Sequence, residues 1–376
     1  MEKRKILQFS ITSAKGGQTQ YILNSWKHID KEKFQFDFLT FDSQIGFADE
    51  LKKQGCQIFY MPCRPQENIA YFRETLVSVL KKGYDTLHIG TGYWNGFEIE
   101  EIAKEYGVPQ VIIHAHSSEY QKAANEMEKK QGQTVHYEMR KLLKEDMATD
   151  FVACSREAAE WIFGDRIPRN KIKIMPNAID TSRFAFSLEK RKEVRAQLGL
   201  EDKFVIGHVG RIELVKNHEF LIRVFSEIVK IVPEAALVLV GDGKLREKVE
   251  GQIRDQNLQE NVKVLGKRDD TDRILQAMDV YLLPSLFEGF PISLVEAQTA
   301  GLPCIVSDLV TKEAAVTMLV SYCPLTIGVW TNKLNGIYEL WKREKGMRRS
   351  MCKQMIDARY EIRNQVKELE KLYERV

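Results

Sequence analysis

The chain lacks the marks of several protein classes. Its 376 residues include six cysteines, scattered at Cys56, Cys63, Cys154, Cys304, Cys323 and Cys352 with no C-x-x-C pair. That spacing argues against a zinc framework or a disulfide scaffold and suits a reducing cytosol. The charge has no strong bias: 56 Lys and Arg stand against 53 Asp and Glu, a net of +3. A nucleic-acid partner is therefore not expected, because it requires a concentrated basic excess. No apolar run approaches the ~18 residues of a membrane span. The basic Met1–Lys5 start is followed by an apolar stretch that stops within six residues, so no signal-peptide core is expected either. There is no low-complexity segment and no sequence repeat.

What is present is alternation. Short runs rich in Val, Ile and Phe (Lys5–Ser10, Phe34–Phe41, Gln57–Met61, Thr86–Ile89, Gln110–Ala115, Phe151–Cys154, Ile172–Met175) are separated by longer charged, helix-periodic segments. A second series follows at Phe204–Val209, Ala236–Val240, Val262–Leu265, Val280–Leu283 and Cys304–Val306. These runs are almost continuously apolar, as strands covered on both faces by helices are. The expected fold class is α/β, with two Rossmann-like parallel-sheet domains facing a central cleft. The series restarts after Pro176–Asp180. The expected domains are 1–185, 186–355 and a closing segment 356–376, whose stretch Tyr360–Tyr373 carries Ile362, Val366, Leu369 and Leu372 at helical spacing.

The most informative segment runs from Pro284 through Glu288, Gly289, Phe290, Pro291, Ile292 and Ser293 to Glu296. A strand enters a Gly/Pro-rich turn and a helix begins near Ile292. The unpaired N–H groups and positive dipole end of that helix form a ready phosphate site. Glu288 in the turn and Glu296 a turn into the helix would repel phosphate on contact. They suit hydrogen bonds from sugar hydroxyls flanking a diphosphate. The alternative, a plain connection with two solvated glutamates, is weaker given the small-residue continuation Ala297 to Pro303.

Glu288 and Glu296, with seven residues between them, resemble the E-x7-E motif of GT-B glycosyltransferases of the GT4 family. Other pieces agree in order: Gly16-Gly17, Cys154-Ser155 opening a helix, Pro176–Asp180, Val209-Gly210-Arg211 followed by Lys216, and Gly241 and Gly243. The resemblance covers essentially the whole chain. It implies that Glu288 contacts the donor sugar and Glu296 the nucleotide ribose. It also implies a diphosphate role for Arg211 and Lys216 and close backbone approach to the nucleotide sugar at Gly16, Gly17, Gly241 and Gly243. Phe290, Pro291, Ile292 and Ser293 complete the expected nucleotide-sugar site. The sequence departs from the family pattern at Val310–Glu313, where a glycine-rich turn is usual.

A leaving nucleoside diphosphate carries about two negative charges, which a metal or protein cations must stabilise. Asp270-Thr271-Asp272 offers a D-x-D pattern, but it precedes a helix expected over Arg273–Met278, so capping is the preferred role. Arg211 and Lys216 then fill the charge role, and no metal and no cofactor are expected beyond the nucleotide-sugar co-substrate. His114 and His116 share one face of a strand and lack a third ligand for zinc. On the resemblance, His116 contacts the donor sugar near the reacting carbon, while His114 is read as equally consistent with packing.

The expected activity is transfer of a hexosyl unit from a nucleotide sugar, UDP-linked, to an acceptor hydroxyl in polysaccharide or glycolipid synthesis, and the resemblance implies that it is retaining and metal-independent. The nearest likeness is to exopolysaccharide and capsule enzymes. The expected acceptor is lipid-linked or a saccharide. The expected location is cytoplasmic, at the inner face of the cell membrane. Two clusters could serve a peripheral contact with anionic membrane or be solvated faces: the helix Ala123–Lys144, with Lys122, Lys129, Lys130, Arg140, Lys141 and Lys144, and the run Lys342–Arg349. Two rival readings are a nucleotide-sugar 2-epimerase of the same architecture and a non-catalytic partner of another glycosyltransferase.

Overall fold

The structure is a computed structural model that describes residues 2–13, 16–118, 126–344 and 348–375. The chain divides into two compact units, Met1–Ala178 with Ile362–Val376, and Ile179–Glu361.

The first unit carries β1 (Arg4–Phe9), β2 (Phe34–Thr40), β3 (Ile58–Tyr60), β4 (Thr86–Thr91), β5 (Gln110–Ala115), β6 (Asp150–Ala153) and β7 (Ile172–Ile174). They form one parallel sheet in the order β3-β2-β1-β4-β5-β6-β7. The second unit carries β8 (Phe204–Val209), β9 (Ala235–Val240), β10 (Val262–Val264), β11 (Val280–Leu283), β12 (Cys304–Ser307) and β13 (Val320–Cys323). This sheet is also parallel, in the order β10-β9-β8-β11-β12-β13. In each unit the chain starts mid-sheet, so the order reverses between β1 and β4, and again between β8 and β11. Open α/β sheets bind ligands beyond the carboxyl ends of strands at such reversals.

Every residue of β9, β11 and β12 is buried, which accounts for their unbroken apolar runs. β13 has no counterpart among the expected strands. It is an edge strand, only Cys323 is fully buried, and its sequence Val-Ser-Tyr-Cys lacks an apolar run.

The last helix, Ile362–Tyr373, buries Ile362, Val366, Leu369, Leu372 and Tyr373 in the first unit's core beside Ile6, Trp26 and Phe34. The boundary lies at Ala178/Ile179 and Glu361/Ile362 rather than at the expected 185/186 and 355/356. Its cause is local pairing inside the second unit. Ile179 N–H donates to the Tyr360 carbonyl at 3.0 Å, and the Thr181 N–H and hydroxyl both donate to the Glu361 carboxylate.

The helix expected over Ala123–Lys144 spans Glu126–Leu142, and its expected start, with Lys122, lies outside the described residues. Arg348 is not a surface cation. It turns inward and, with Arg191 and Arg195, donates to the carbonyls that end the helix Thr271–Ala277. Among the described residues all six cysteines are free, and no helix is long and apolar enough to cross a membrane.

Candidate active site

In the second unit, the loops after β8 and β11 meet at the sheet's reversal point. Leu286 N–H donates to the Val215 carbonyl at 2.8 Å, and the Asn217 amide donates to the Pro284 carbonyl at 3.2 Å. Asn217 adopts φ 56°, a left-handed turn that ends the short 3-10 turn Leu214–Lys216 and starts the helix His218–Ile231. These bonds bring Lys216 Nζ into an ion pair with Glu288 Oε1, which also accepts from Ser285 Oγ at 2.8 Å. Both side chains are largely enclosed, 16% and 12% exposed. The backbone of Glu288 bridges Val310, so the segment that departs from the family pattern is tied directly to the glutamate turn.

Arg211 does not join this pair. Its side chain is 51% exposed and donates to Glu213 at 2.8 Å. Gly241 and Gly243 pack against the loop that carries Arg211. A Cβ on Gly241, at φ 137°, would lie 1.9 Å from the Gly210 carbonyl oxygen, and one on Gly243 would lie 2.5 Å from that of Ile212. Contact between the two loops therefore already demands glycine at both positions.

Pro291 caps the helix Ile292–Thr299, whose first turn contains no acidic side chain, so its amide dipoles are uncompensated there. Phe290 is buried and stacks on Tyr360 at 5.8 Å, and Ile292 is buried as well. The Ser293 hydroxyl is shared with Tyr281 Oη at 2.7 Å, and Tyr281 donates to the Val209 carbonyl at 3.2 Å. Glu296 is partly buried. Burial pushes its carboxyl up to about 8, Arg183 pulls it back, and Asp272 opposes that pull. Arg183 itself donates to Asp272 at 2.6 Å and to the Asp269 carbonyl at 2.8 Å.

The D-x-D residues do not cap their helix as expected. Asp270 stands at the cap position, but its carboxylate receives a fork of two bonds from Arg268, at 2.7 and 2.8 Å, and makes no bond to the first-turn amides. Arg268, two residues earlier, is the stronger donor. Asp272 is taken by Arg183.

In the first unit, Gly16 caps the helix Gly17–His28 with φ −62°, and a Cβ there would meet nothing within 4 Å. Neither backbone conformation nor crowding requires glycine at that position. His116 follows β5, its N–H bound to the Thr91 carbonyl at 2.9 Å. Its ring stacks on His114 at 4.0 Å and lies 5.3 Å from Tyr21. Burial lowers its pKa to about 3, a side-chain hydrogen bond with Asn177 acting the other way. His114 is fully buried. Ser285, Asn217, Tyr281 and Arg183 were not evident as site residues. The first two adjoin named positions, while Arg183 is brought in by the fold alone.

Two parallel Rossmann-like units, with a glutamate, lysine and helix start gathered at the reversal point of the second, define the GT-B class of glycosyltransferases. Residues 15–183 match the family model described as Glycosyltransferase Family 4, and residues 190–317 match that of Glycosyl transferases group 1. A putative glycosyltransferase EpsF of Bacillus subtilis (strain 168) is 32% identical, over 88% of this chain and 87% of that protein. The UDP-Gal:alpha-D-GlcNAc-diphosphoundecaprenol alpha-1,3-galactosyltransferase of Escherichia coli is 28% identical over 82% and 80%. Among solved structures, Anabaena HepE in complex with UDP and glucose aligns with a TM-score of 0.79 and 16% identity over 100% of both chains. The chain belongs to the family 4, group 1 glycosyltransferases.

Proposed function

We propose that this glycosyltransferase moves a hexosyl unit from a UDP-sugar to an acceptor hydroxyl with retention of configuration and without a metal. The observation that carries this reading is the enclosed Lys216–Glu288 pair, with Lys216 packed beside Gly210 and Glu288 in the turn that leads into the helix Ile292–Thr299. A cation, uncompensated helix amides and a carboxylate in one loop cluster suit a diphosphate with a sugar attached.

In this reading Lys216 and Arg211 hold the diphosphate and stabilise the charge that grows on it as the glycosidic bond breaks. The backbone N–H groups of Ile292 and Ser293 assist, and Gly16, Gly17, Gly241 and Gly243 let main chain approach the donor. Glu288 accepts from the sugar hydroxyls and Glu296 from the ribose. His116 acts at the transferred sugar. Retention follows a front-face route in which the departing diphosphate helps to deprotonate the acceptor.

The choice of UDP and of a lipid-linked or saccharide acceptor is supported by the activity for which the Escherichia coli relative is named and by UDP in the HepE structure. The diphosphoundecaprenol in the name of the Escherichia coli relative supports a setting in polysaccharide or glycolipid synthesis. Such an acceptor places the work at the cytoplasmic face of the cell membrane. The cations of Glu126–Leu142 would make peripheral contact there.

The test is a binding screen of nucleotide sugars, followed by mass analysis of products formed with lipid-diphosphate saccharides in EDTA. A transferred hexose in EDTA supports the reading. Activity that returns only with magnesium or manganese overturns its metal-independent part, and an epimer formed from donor alone overturns transfer.

A further inference from the structure

The first unit contains a line of buried polar rings that the proposed reaction does not use. Tyr373 Oη lies 2.7 Å from His88 Nδ1, and His88 Nε2 lies 3.1 Å from His114 Nδ1. The His88 and His114 rings are nearly coplanar in orientation, 12° apart with centroids at 5.3 Å. His114 in turn stacks on His116. These four residues come from the last helix, from β4, from β5 and from the residue following it. We infer that Tyr373, His88 and His114 form a positioning relay that sets the ring of His116, an inference that rests on the proposed role of His116.

The direction of the relay follows from counting protons. Burial keeps His88 and His116 near 3 and His114 well below its ordinary value, so all three rings are neutral. Burial also holds the Tyr373 phenol well above its usual value, so it stays protonated. A neutral imidazole has one N–H and one bare nitrogen. If Tyr373 donates, His88 accepts at Nδ1 and donates from Nε2, and His114 accepts at Nδ1 and carries its proton on Nε2. If the chain ran the other way, the Tyr373 hydroxyl hydrogen would lose its acceptor, while His114 Nε2 has no partner among the described residues in either direction. Each unsatisfied buried polar group costs about 1–3 kcal/mol, so the first direction prevails. One tautomer of His114 is thereby fixed from a tyrosine 285 residues from His88 in sequence.

Simple packing does not explain the arrangement. Phenylalanine would fill the same volumes without polar atoms to desolvate. The hydrogen bonds instead end at His114, whose ring stacks on that of His116 at 4.0 Å. His114 Nε2 and His116 Nδ1 are buried without a partner among the described residues, as is the hydroxyl of Tyr21, whose ring lies 5.3 Å from both. Gly90 also approaches His116 closely: a Cβ there would come within 3.2 Å of the His116 ring and 2.4 Å of Gln18. His116 is therefore packed against a ring of fixed tautomer and beside a strand position with no room for another carbon.

The experiment uses the full chain, labelled with 15N-histidine, and the variants Tyr373→Phe, His114→Phe and His116→Ala. Turnover is measured with UDP-glucose or UDP-galactose, and UDP affinity serves as the check on folding. Tyr373→Phe removes one hydroxyl and keeps the ring. It is expected to move the His114 ring nitrogens from the Nε2–H pattern to a mixture. It should also lower kcat by about tenfold, a misplacement effect, with the donor KM within about twofold of wild type. His114→Phe, which keeps a ring in the stack, should show the same loss and decides the matter if Tyr373→Phe fails to bind UDP. If His116→Ala is inactive while both other variants turn over normally, the relay is overturned. If His116→Ala itself turns over normally, the role of His116 fails instead.

Discussion

Lys216 Nζ is paired with Glu288 Oε1 across 72 residues of sequence, joining the loops that leave β8 and β11. The pair neutralises two charges that would be costly to enclose singly. It also leaves each side chain with a competing partner when a nucleotide sugar binds: diphosphate for the lysine, sugar hydroxyls for the carboxylate.

Glu288 and Glu296 should therefore separate experimentally. Glu288→Ala should leave affinity for free UDP close to wild type and remove most of the transfer activity. Glu296→Ala should weaken free UDP by about 1.5–3 kcal/mol, the worth of a hydrogen bond to a charged group. Calorimetric titration of UDP into both variants is the measurement, and equal losses would reject the division of roles.

Glu296 also gives a pH signature. Without nucleotide its carboxyl sits at about 8, so it is largely protonated at pH 7. Hydrogen bonds from two ribose hydroxyls are stronger to the ionised carboxylate and so favour it. UDP binding at pH 7 should thus release a proton, and affinity should rise as pH increases toward 8, then level off. Titrations in buffers of different ionisation enthalpy measure the proton directly. No release, with pH-independent affinity, would place the ribose elsewhere. The same raised carboxyl acts against folding. The unfolded chain ionises near 4.5 and the folded one near 8. Its penalty is absent below 4.5, where both states are protonated, grows as pH rises from 4.5 to 8, where only the unfolded chain ionises, and is constant above 8.

Much of this architecture is legible in the sequence because both sheets are covered on both faces, so β8, β9 and β11 read as apolar runs with little ambiguity. The start at Ile292 is legible because Pro291 precedes it. Local pattern fails where another group captures a side chain. Asp270 reads as a cap until Arg268, two residues away, forks onto it, and Arg348 reads as part of a surface cluster until it meets the carbonyls of Leu275, Gln276 and Met278, some seventy residues distant. His88 and Tyr373 carry no local sign of each other. β13 is obscured by its half-exposed edge position.

Asp279 should be a stability determinant of the second unit. Its carboxylate accepts from Arg191 and Arg195 at 2.5 Å each and from the Val205 N–H at 2.8 Å, and it is almost wholly enclosed. Arg348 adds a third guanidinium nearby, so removing the single carboxylate leaves buried positive charge uncompensated. Asp279→Ala should cost about 3–5 kcal/mol. Urea unfolding followed by fluorescence is the check, with Lys230→Ala, on an exposed helix pair, as the variant that leaves the midpoint in place.

Arg211 offers the sharpest test of the chemistry, because it is the predicted cation that the structure leaves apart from the Lys216–Glu288 pair. Its guanidinium is half-exposed and held by Glu213. An exposed ion pair of this kind is worth little, so it is readily exchanged for a diphosphate. Negative charge on the bridging oxygen grows as the sugar–oxygen bond breaks, and the attraction to Arg211 should grow with it. Only that increase accelerates the reaction. Arg211→Ala should accordingly lower kcat by about a hundredfold or more, with a smaller rise in donor KM. Lysine at the position should recover part of the loss, since it restores the charge but not the planar fork that grips two oxygens. Glu213→Gln, which removes the competing carboxylate, should leave kcat near wild type and lower the donor KM. Steady-state kinetics of the three variants at saturating acceptor decide the matter: near-normal turnover of Arg211→Ala at saturating donor would show that the residue only binds, or lies outside the site.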